Sequence, residues 1–223
     1  MRARWMMVVP CLALLVALSY STIRMGAADA ITWIAGERLE RWDRSGARPG
    51  LEPWMAVRDD LEQAVLLSRS DPAPPELLGV LHLARGVTTD FAEISLEYLR
   101  RALVMRPSSP YTWASLAEAR YRMGMTQAPF ETILLTAWRL GPAEPEVQRV
   151  MLDLGLALWG EGSPALQTAV RAAMAASMRR NPVETFEVAA RRGRLDLACP
   201  LMVPDKRLTQ TKWPLRCENV KSA

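Results

Sequence analysis

The sequence predicts an all-α protein: helical hairpins repeated as an α-solenoid behind an apolar N-terminal helix. The first observation is residues 5–23, WMMVVPCLALLVALSYSTI, which carry no charge. The second is an interval. RALVMRP and TAWRLGP set Ala102 and Ala137, and likewise Pro107 and Pro142, 35 residues apart. The third is punctuation. PPELLGVLHLARG, PYTWASLAEARYRMG and PEVQRVMLDLGLALWGEG each start at or after proline and close on glycine. Proline pre-sets the first helical turn, and glycine permits the left-handed conformation that stops a helix.

The N-terminal run is 19 residues long, flanked by Arg2 and Arg4 on one side and Arg24 on the other. At about 1.5 Å per helical residue it can just cross a hydrocarbon core of roughly 30 Å. The favoured reading of 1–24 is an uncleaved signal anchor, with Pro10 tolerated inside it. A cleaved signal peptide with its small-residue site at Ala28-Asp29-Ala30 is one alternative. A core helix of a soluble protein is the other. Cys11 follows proline and the apolar run continues beyond it, so VVPC is a poor lipoprotein motif. Arginines at both ends leave the positive-inside rule undecided. A short N-terminal tail most simply stays in the cytoplasm, which sends the rest outside. The basic residues are nearly all arginine, with lysine only at Lys206, Lys212 and Lys221, as in a high-GC bacterium. The expected location is therefore the bacterial inner membrane, single-pass, with the C-terminal domain in the periplasm.

Residues 25–50 read as a juxtamembrane amphipathic helix, with Ile31, Ile34, Arg38, Leu39 and Trp42 near one face, followed by the linker SGARPG. The repeat domain is expected over 51–193. It opens on Pro53 and continues with Trp54, Val57, Leu61, Ala64 and Val65 at helical spacing. A further repeat end, ASMRRNP, reaches Pro182, 40 residues after Pro142, with Ser177 in the alanine's place. Small residues near these ends let helices approach, and each hairpin has too narrow an apolar stripe to bury alone. Phe186, Ala189 and Ala190 are placed to cap the last pair. The remainder, 194–223, reads as a loop-rich tail in which Cys199 and Cys217 would pair in an oxidising compartment. Two cysteines without a nearby histidine fall short of a zinc site.

The unit from Pro110 to Pro142 resembles the tetratricopeptide repeat (TPR) family. Trp113, Leu116, Ala117, Tyr121, Gly124, Ala137 and Pro142 stand near the family's preferred positions, Tyr121 and Ala137 with a slip of one residue. The unit ending at Pro107 keeps Ala102 and Pro107 but lacks the tryptophan, and the one ending at Pro182 is longer. The resemblance spans roughly residues 51–182. It implies a partner-binding groove on the first helices of the pairs, formed here by Tyr111, Ala114, Glu118, and Tyr121 or Arg122. The carboxylate-binding form of that groove needs lysine and asparagine; Ala114 and Glu118 depart from it.

No phosphate loop, dinucleotide fingerprint or metal-ligand spacing occurs, and no cofactor is expected. His82, the one histidine, sits in the apolar run LLGVLHLA and reads as a packing residue. Asp59, Asp60 and Glu62 crowd one turn and point apart, as on a solvated face. The arginines are spread along every predicted helix, which argues against a nucleic-acid stripe. Trp54, Trp113, Trp138 and Trp159 fall on or beside apolar faces; Trp5 and Trp33 suit a membrane interface. The expectation is a non-catalytic, membrane-anchored periplasmic scaffold that binds proteins of an envelope assembly. Its architecture resembles that of accessory proteins of bacterial exopolysaccharide biosynthesis and export. The rivals are a carbohydrate-binding or carbohydrate-modifying protein with a tryptophan platform, and a scaffold for cytochrome maturation or secretion. Partner identity and oligomeric state are not encoded in any motif.

Overall fold

The computed structural model describes residues 2–46, 48–85, 89–202, 206–209 and 211–221. Among these the secondary structure is helical with no strand, and the chain divides into two compact units, Met1–Pro107 and Ser108–Ala223. The expected glycine stop at Gly86 lies outside the described residues, as does the side chain of Trp5.

The first unit contains α1 (Arg2–Ser45), α2 (Leu51–Leu67), α3 (Ala73–Arg85) and α4 (Thr89–Met105). It forms the hairpins α1/α2 and α3/α4, with α2 also against α3. Here the structure corrects the sequence reading. No separate juxtamembrane helix exists; α1 runs unbroken through the apolar segment and becomes the first helix of the first hairpin. Its buried stripe is Ala28, Thr32, Ala35 and Leu39, whereas Ile34 stays 43% exposed. Small side chains at spacings of four and three let α2 lie close along α1. Leu39 and Ala35 join Trp54, Val57, Leu61, Leu78 and Leu81 in one apolar cluster.

His82 completes that core. It is 4% exposed, and its Nδ1 lies 2.7 Å from the Leu78 carbonyl oxygen. A carbonyl only accepts, so Nδ1 carries the proton and donates. The imidazole meets Trp54 edge-on at 5.2 Å and stacks on Tyr98 at 5.7 Å, while the Trp54 Nε1–H donates to the Leu81 carbonyl at 3.2 Å. Burial lowers the His82 pKa, against a smaller opposing effect of the Leu78 hydrogen bond.

The second unit comprises α5 (Pro110–Arg122), α6 (Phe130–Leu140), α7 (Pro145–Ala157), α8 (Pro164–Arg180) and α9 (Pro182–Arg191), followed by short elements. These are α10 (Leu195–Ala198), a 3₁₀ turn (Cys199–Leu201), α11 (Lys206–Thr209) and α12 (Trp213–Lys221). Hairpins α5/α6 and α7/α8 repeat the pattern, and α7 also meets α5 and α9. Three helix starts, those of α5, α8 and α9, share one device: Ser109, Ser163 and Asn181 each cap through the side chain, and proline follows at the first helical position. Gly124 ends α5 at φ +70°, as the punctuation predicts. Gly162, after α7, works otherwise. Among the described glycines only Gly46, Gly124 and Gly193 have positive φ; a Cβ on Gly162 would instead strike Leu166 Cδ2 at 2.7 Å.

The tail also departs from expectation. It folds back on α9 as short helices rather than loops, because Trp213 is 4% exposed and stacks on Phe186 at 5.9 Å. A disulfide joins Cys199 to Cys217 across 18 residues. In the chain-entropy view a closure of that size contributes about 3 kcal/mol.

Close helix approach generates the first prediction. A Cβ on Gly155 would lie 2.2 Å from Cγ2 of Val170, a fully buried, β-branched side chain. Gly155→Ala should therefore destabilise by about 1–3 kcal/mol despite alanine's better helix propensity. Gly26, with nothing within 4 Å of its virtual Cβ, is the control. Gly26→Ala should be neutral or stabilising by up to about 1 kcal/mol. Thermal unfolding of the full chain in detergent measures both.

His82 generates the second. Its folded pKa lies below the unfolded value, so the unfolded chain binds the proton first. Stability should be complete above about pH 6.5 and fall as pH drops below that value. His82→Phe should flatten the dependence between pH 5 and 7, followed by near-ultraviolet dichroism during thermal melts.

Candidate functional site: the charged face of the second unit

Helices α5, α7 and α9 are the first members of their pairs, and each starts at a proline. On α7 the apolar residues Val147, Val150, Met151, Leu154 and Leu156 are buried. Glu146, Arg149 and Asp153, spaced i, i+3 and i+7, stay on the remaining face. They form a ladder with the neighbouring helices. Arg149 pairs with Glu146 at 2.5 Å and reaches Glu118 of α5 at 3.9 Å. Glu118 also holds Arg122 at 2.5 Å. Asp153 takes Arg192, just past α9, through Nε at 3.0 Å and Nη2 at 2.8 Å, with Arg191 at 3.3 Å. Arg192 donates in turn to the Tyr121 hydroxyl at 3.0 Å and lies over its ring.

Of the groove residues expected from the sequence, Tyr111, Glu118, Tyr121 and Arg122 are accessible on this unit. Tyr111 is 42% exposed and its hydroxyl donates to Glu144. Ala114 does not belong with them: it is 1% exposed, on a helix covered by both α6 and α7, so no partner can touch it. The sequence reading missed Glu146, Arg149, Asp153 and Arg192. A usable signal was present, because Glu146 and Asp153 stand 35 residues after Tyr111 and Glu118, the interval that separates the repeat ends.

The face includes a cleft of about 460 Å³ between α7 and α9. Its floor is Leu152 and Val188, both under 5% exposed, and its rim carries Glu146, Arg149, Glu184, Arg180 and Arg207. Arg207 donates to the Arg180 carbonyl at 2.7 Å, tying α11 to the end of α8. The accessible rim carries both signs of charge, which suits a polypeptide segment with charged side chains.

Other candidates do not converge on chemistry. Asp60 binds Arg38 at 3.1 Å, Asp59 binds Arg58 at 2.6 Å and Glu62 lies 3.9 Å from Arg58, so the acidic turn is dispersed into ion pairs. Among the described residues no group of His, Cys, Asp or Glu is placed to hold a metal ion. Trp54 is core; Trp113, Trp138 and Trp159 are half-buried, and Arg171 lies 5.3 Å over Trp159. Trp33 is 69% exposed on α1.

This fold defines the class: helical hairpins of the TPR type. The solved structure of PilF from Pseudomonas aeruginosa is similar, with a TM-score of 0.57 over 89% of this chain and 86% of that one, at 17% identity. The likeness is one of fold. No family model and no curated protein matches the chain.

Asp153 is the hinge of the ladder and generates the third prediction. Burial alone would raise its pKa, but the Arg192 hydrogen bonds and charge, then those of Arg191, outweigh it and hold the carboxyl below the usual range. That stabilisation is present above the unfolded value near 4 and is lost as pH falls through the lower folded value. Asp153→Asn should cost about 1–3 kcal/mol at neutral pH, since it strands a half-buried guanidinium. The loss should shrink toward pH 3. Urea unfolding of the full chain at both pH values measures it.

Proposed function

We propose that this protein is a membrane-tethered, non-catalytic scaffold whose TPR-like hairpins bind other proteins through the charged face of α5, α7 and α9. The observation that carries the tether is the division within α1. This helix is long and apolar enough to cross a membrane, and only 6% of its apolar window is buried. Leu12, Leu15, Val16 and Ile23 are 61–71% exposed, whereas Ala28 and Ala35 are fully buried. A core helix would hide the first group; a bilayer supplies the solvent they need. An uncleaved anchor also fits better than a signal peptide. Cleavage after Ala30 would remove Ala28 from the α1/α2 contact and cut an unbroken helix.

The reading extends to place and partner. The disulfide Cys199–Cys217 favours an oxidising compartment, hence a periplasmic domain on a bacterial inner-membrane anchor. The partners are then envelope proteins, with exopolysaccharide assembly or export components as the first candidates. The mixed-charge cleft supports a protein ligand over nucleic acid, which would call for a basic stripe.

The test is in-cell photo-crosslinking from a probe at Glu184, on the cleft rim, and another at Val104 of α4, which is 85% exposed and serves as control. The expected outcome is an envelope protein captured from position 184 and not from 104. Polysaccharide polymerase, export or chain-length proteins would give the specific pathway; members of another envelope machine would keep the scaffold and discard that pathway. No protein capture, together with binding of purified glycan, would overturn the scaffold reading.

A further inference from the structure

The α1/α2 hairpin is antiparallel, so the end of α2 returns to the level where the apolar part of α1 stops. Arg24, the first charge after that part, donates through Nη2 to the Leu66 carbonyl at 2.9 Å. Its guanidinium lies 5.6 Å over the Tyr20 ring. Beside it is a cleft of about 380 Å³ between α1 and the α2–α3 turn, which Arg24, Arg69, Ser21 and Ser70 help to line. Neither arginine has a carboxylate within ion-pair distance among the described residues, unlike Arg38 and Arg58 on the same hairpin. Next to the cleft, Leu66 is 64% exposed and Ile23 is 71% exposed.

Two arginines without acidic partners and two hydroxyls make a phosphate-binding set. Exposed leucine and isoleucine beside them match the acyl boundary of a bilayer, where arginine keeps its head in the polar layer. We propose that this cleft holds the headgroup phosphate of an anionic phospholipid in the leaflet from which α1 emerges, so that the α2–α3 turn is a second membrane contact. The inference rests on α1 spanning the membrane. It adds a consequence: the hairpin is fixed to the bilayer at two points and cannot pivot freely about the anchor.

The test is hydrogen exchange on the full chain in nanodiscs of phosphatidylcholine and of phosphatidylglycerol. Amides of residues 68–71 should exchange about fivefold more slowly, per engaged arginine, in the anionic bilayer. Arg69→Gln should abolish its share of that slowing. Arg100→Gln, on the exposed side of α4, should leave it intact and controls for net charge. Equal exchange in both bilayers, with α1 still protected, would overturn the anionic-lipid assignment, since phosphatidylcholine presents the same phosphate without net charge, while leaving the anchor standing. Failure of residues 11–23 to gain protection in either bilayer would remove the anchor and the site together. Slowing by millimolar inorganic phosphate in phosphatidylcholine discs, without anionic lipid, would overturn the lipid assignment in favour of a soluble phosphate.

Discussion

Helix-to-helix contact through small residues is the constraint on which the rest depends. A hairpin of two amphipathic helices cannot dehydrate its own apolar stripe, so within a unit it shares a core with a neighbouring helix. α7 makes the point: it meets α5, α8 and α9 and buries Val147, Val150, Met151, Leu154 and Leu156 around most of its circumference. What remains outside is one narrow line, Glu146, Arg149 and Asp153. The candidate site is therefore a by-product of packing. The core takes every other face of the helix, and only that line is left for polar side chains to meet solvent or a partner.

The same constraint explains which features were legible in the sequence. Proline at helix starts and glycine at the end of α5 are local devices, and they appear where the sequence puts them. Core membership of Trp54 follows from helical spacing, and that of His82 from the apolar run around it. Long-range choices were harder to see. Ile31 and Ile34 look like the buried face of α1, yet the close approach of α2 selects Ala28, Thr32 and Ala35 instead. Hydrophobicity ranks isoleucine first, but closeness ranks alanine first. Ala114 was misjudged for the same reason: in a groove a small residue and a covered residue look alike until the neighbouring helix is present. The tail had no periodicity to reveal it, since its order comes from Trp213 on Phe186 and from the Cys199–Cys217 link.

Each unit has a distinctive polar feature. In the first, polar groups are drawn into an aromatic core: the Trp54 indole and the His82 imidazole each donate to a backbone carbonyl of α3. Buried donors cost stability unless paired, and both are paired. In the second, charged groups on the accessible line neutralise one another, Asp153 with Arg192 and Arg149 with Glu146. A partner that binds there must compete with internal ion pairs. Exposed pairs such as Arg149–Glu146 are worth little and yield easily, whereas the half-buried Asp153–Arg192 pair is costly to split. The accessible part of the ladder is thus the part that can exchange partners, and the inner part holds α9 in register.

Continuity of α1 has a mechanical meaning. A scaffold on a flexible tether samples many orientations, and its partner supplies the order. Here no glycine–serine or proline segment separates the apolar part of α1 from the part that packs on α2; the linker comes after Ser45, between the two helices. The Arg24 bond to the Leu66 carbonyl straps the end of α2 to α1 at the point where the apolar run ends. Bending there would require breaking both that bond and the contacts of Ala28. If α1 lies across a bilayer, its tilt therefore sets the tilt of the first hairpin. The continuous helix and the charged ladder fall in separate compact units, the first in Met1–Pro107 and the second in Ser108–Ala223.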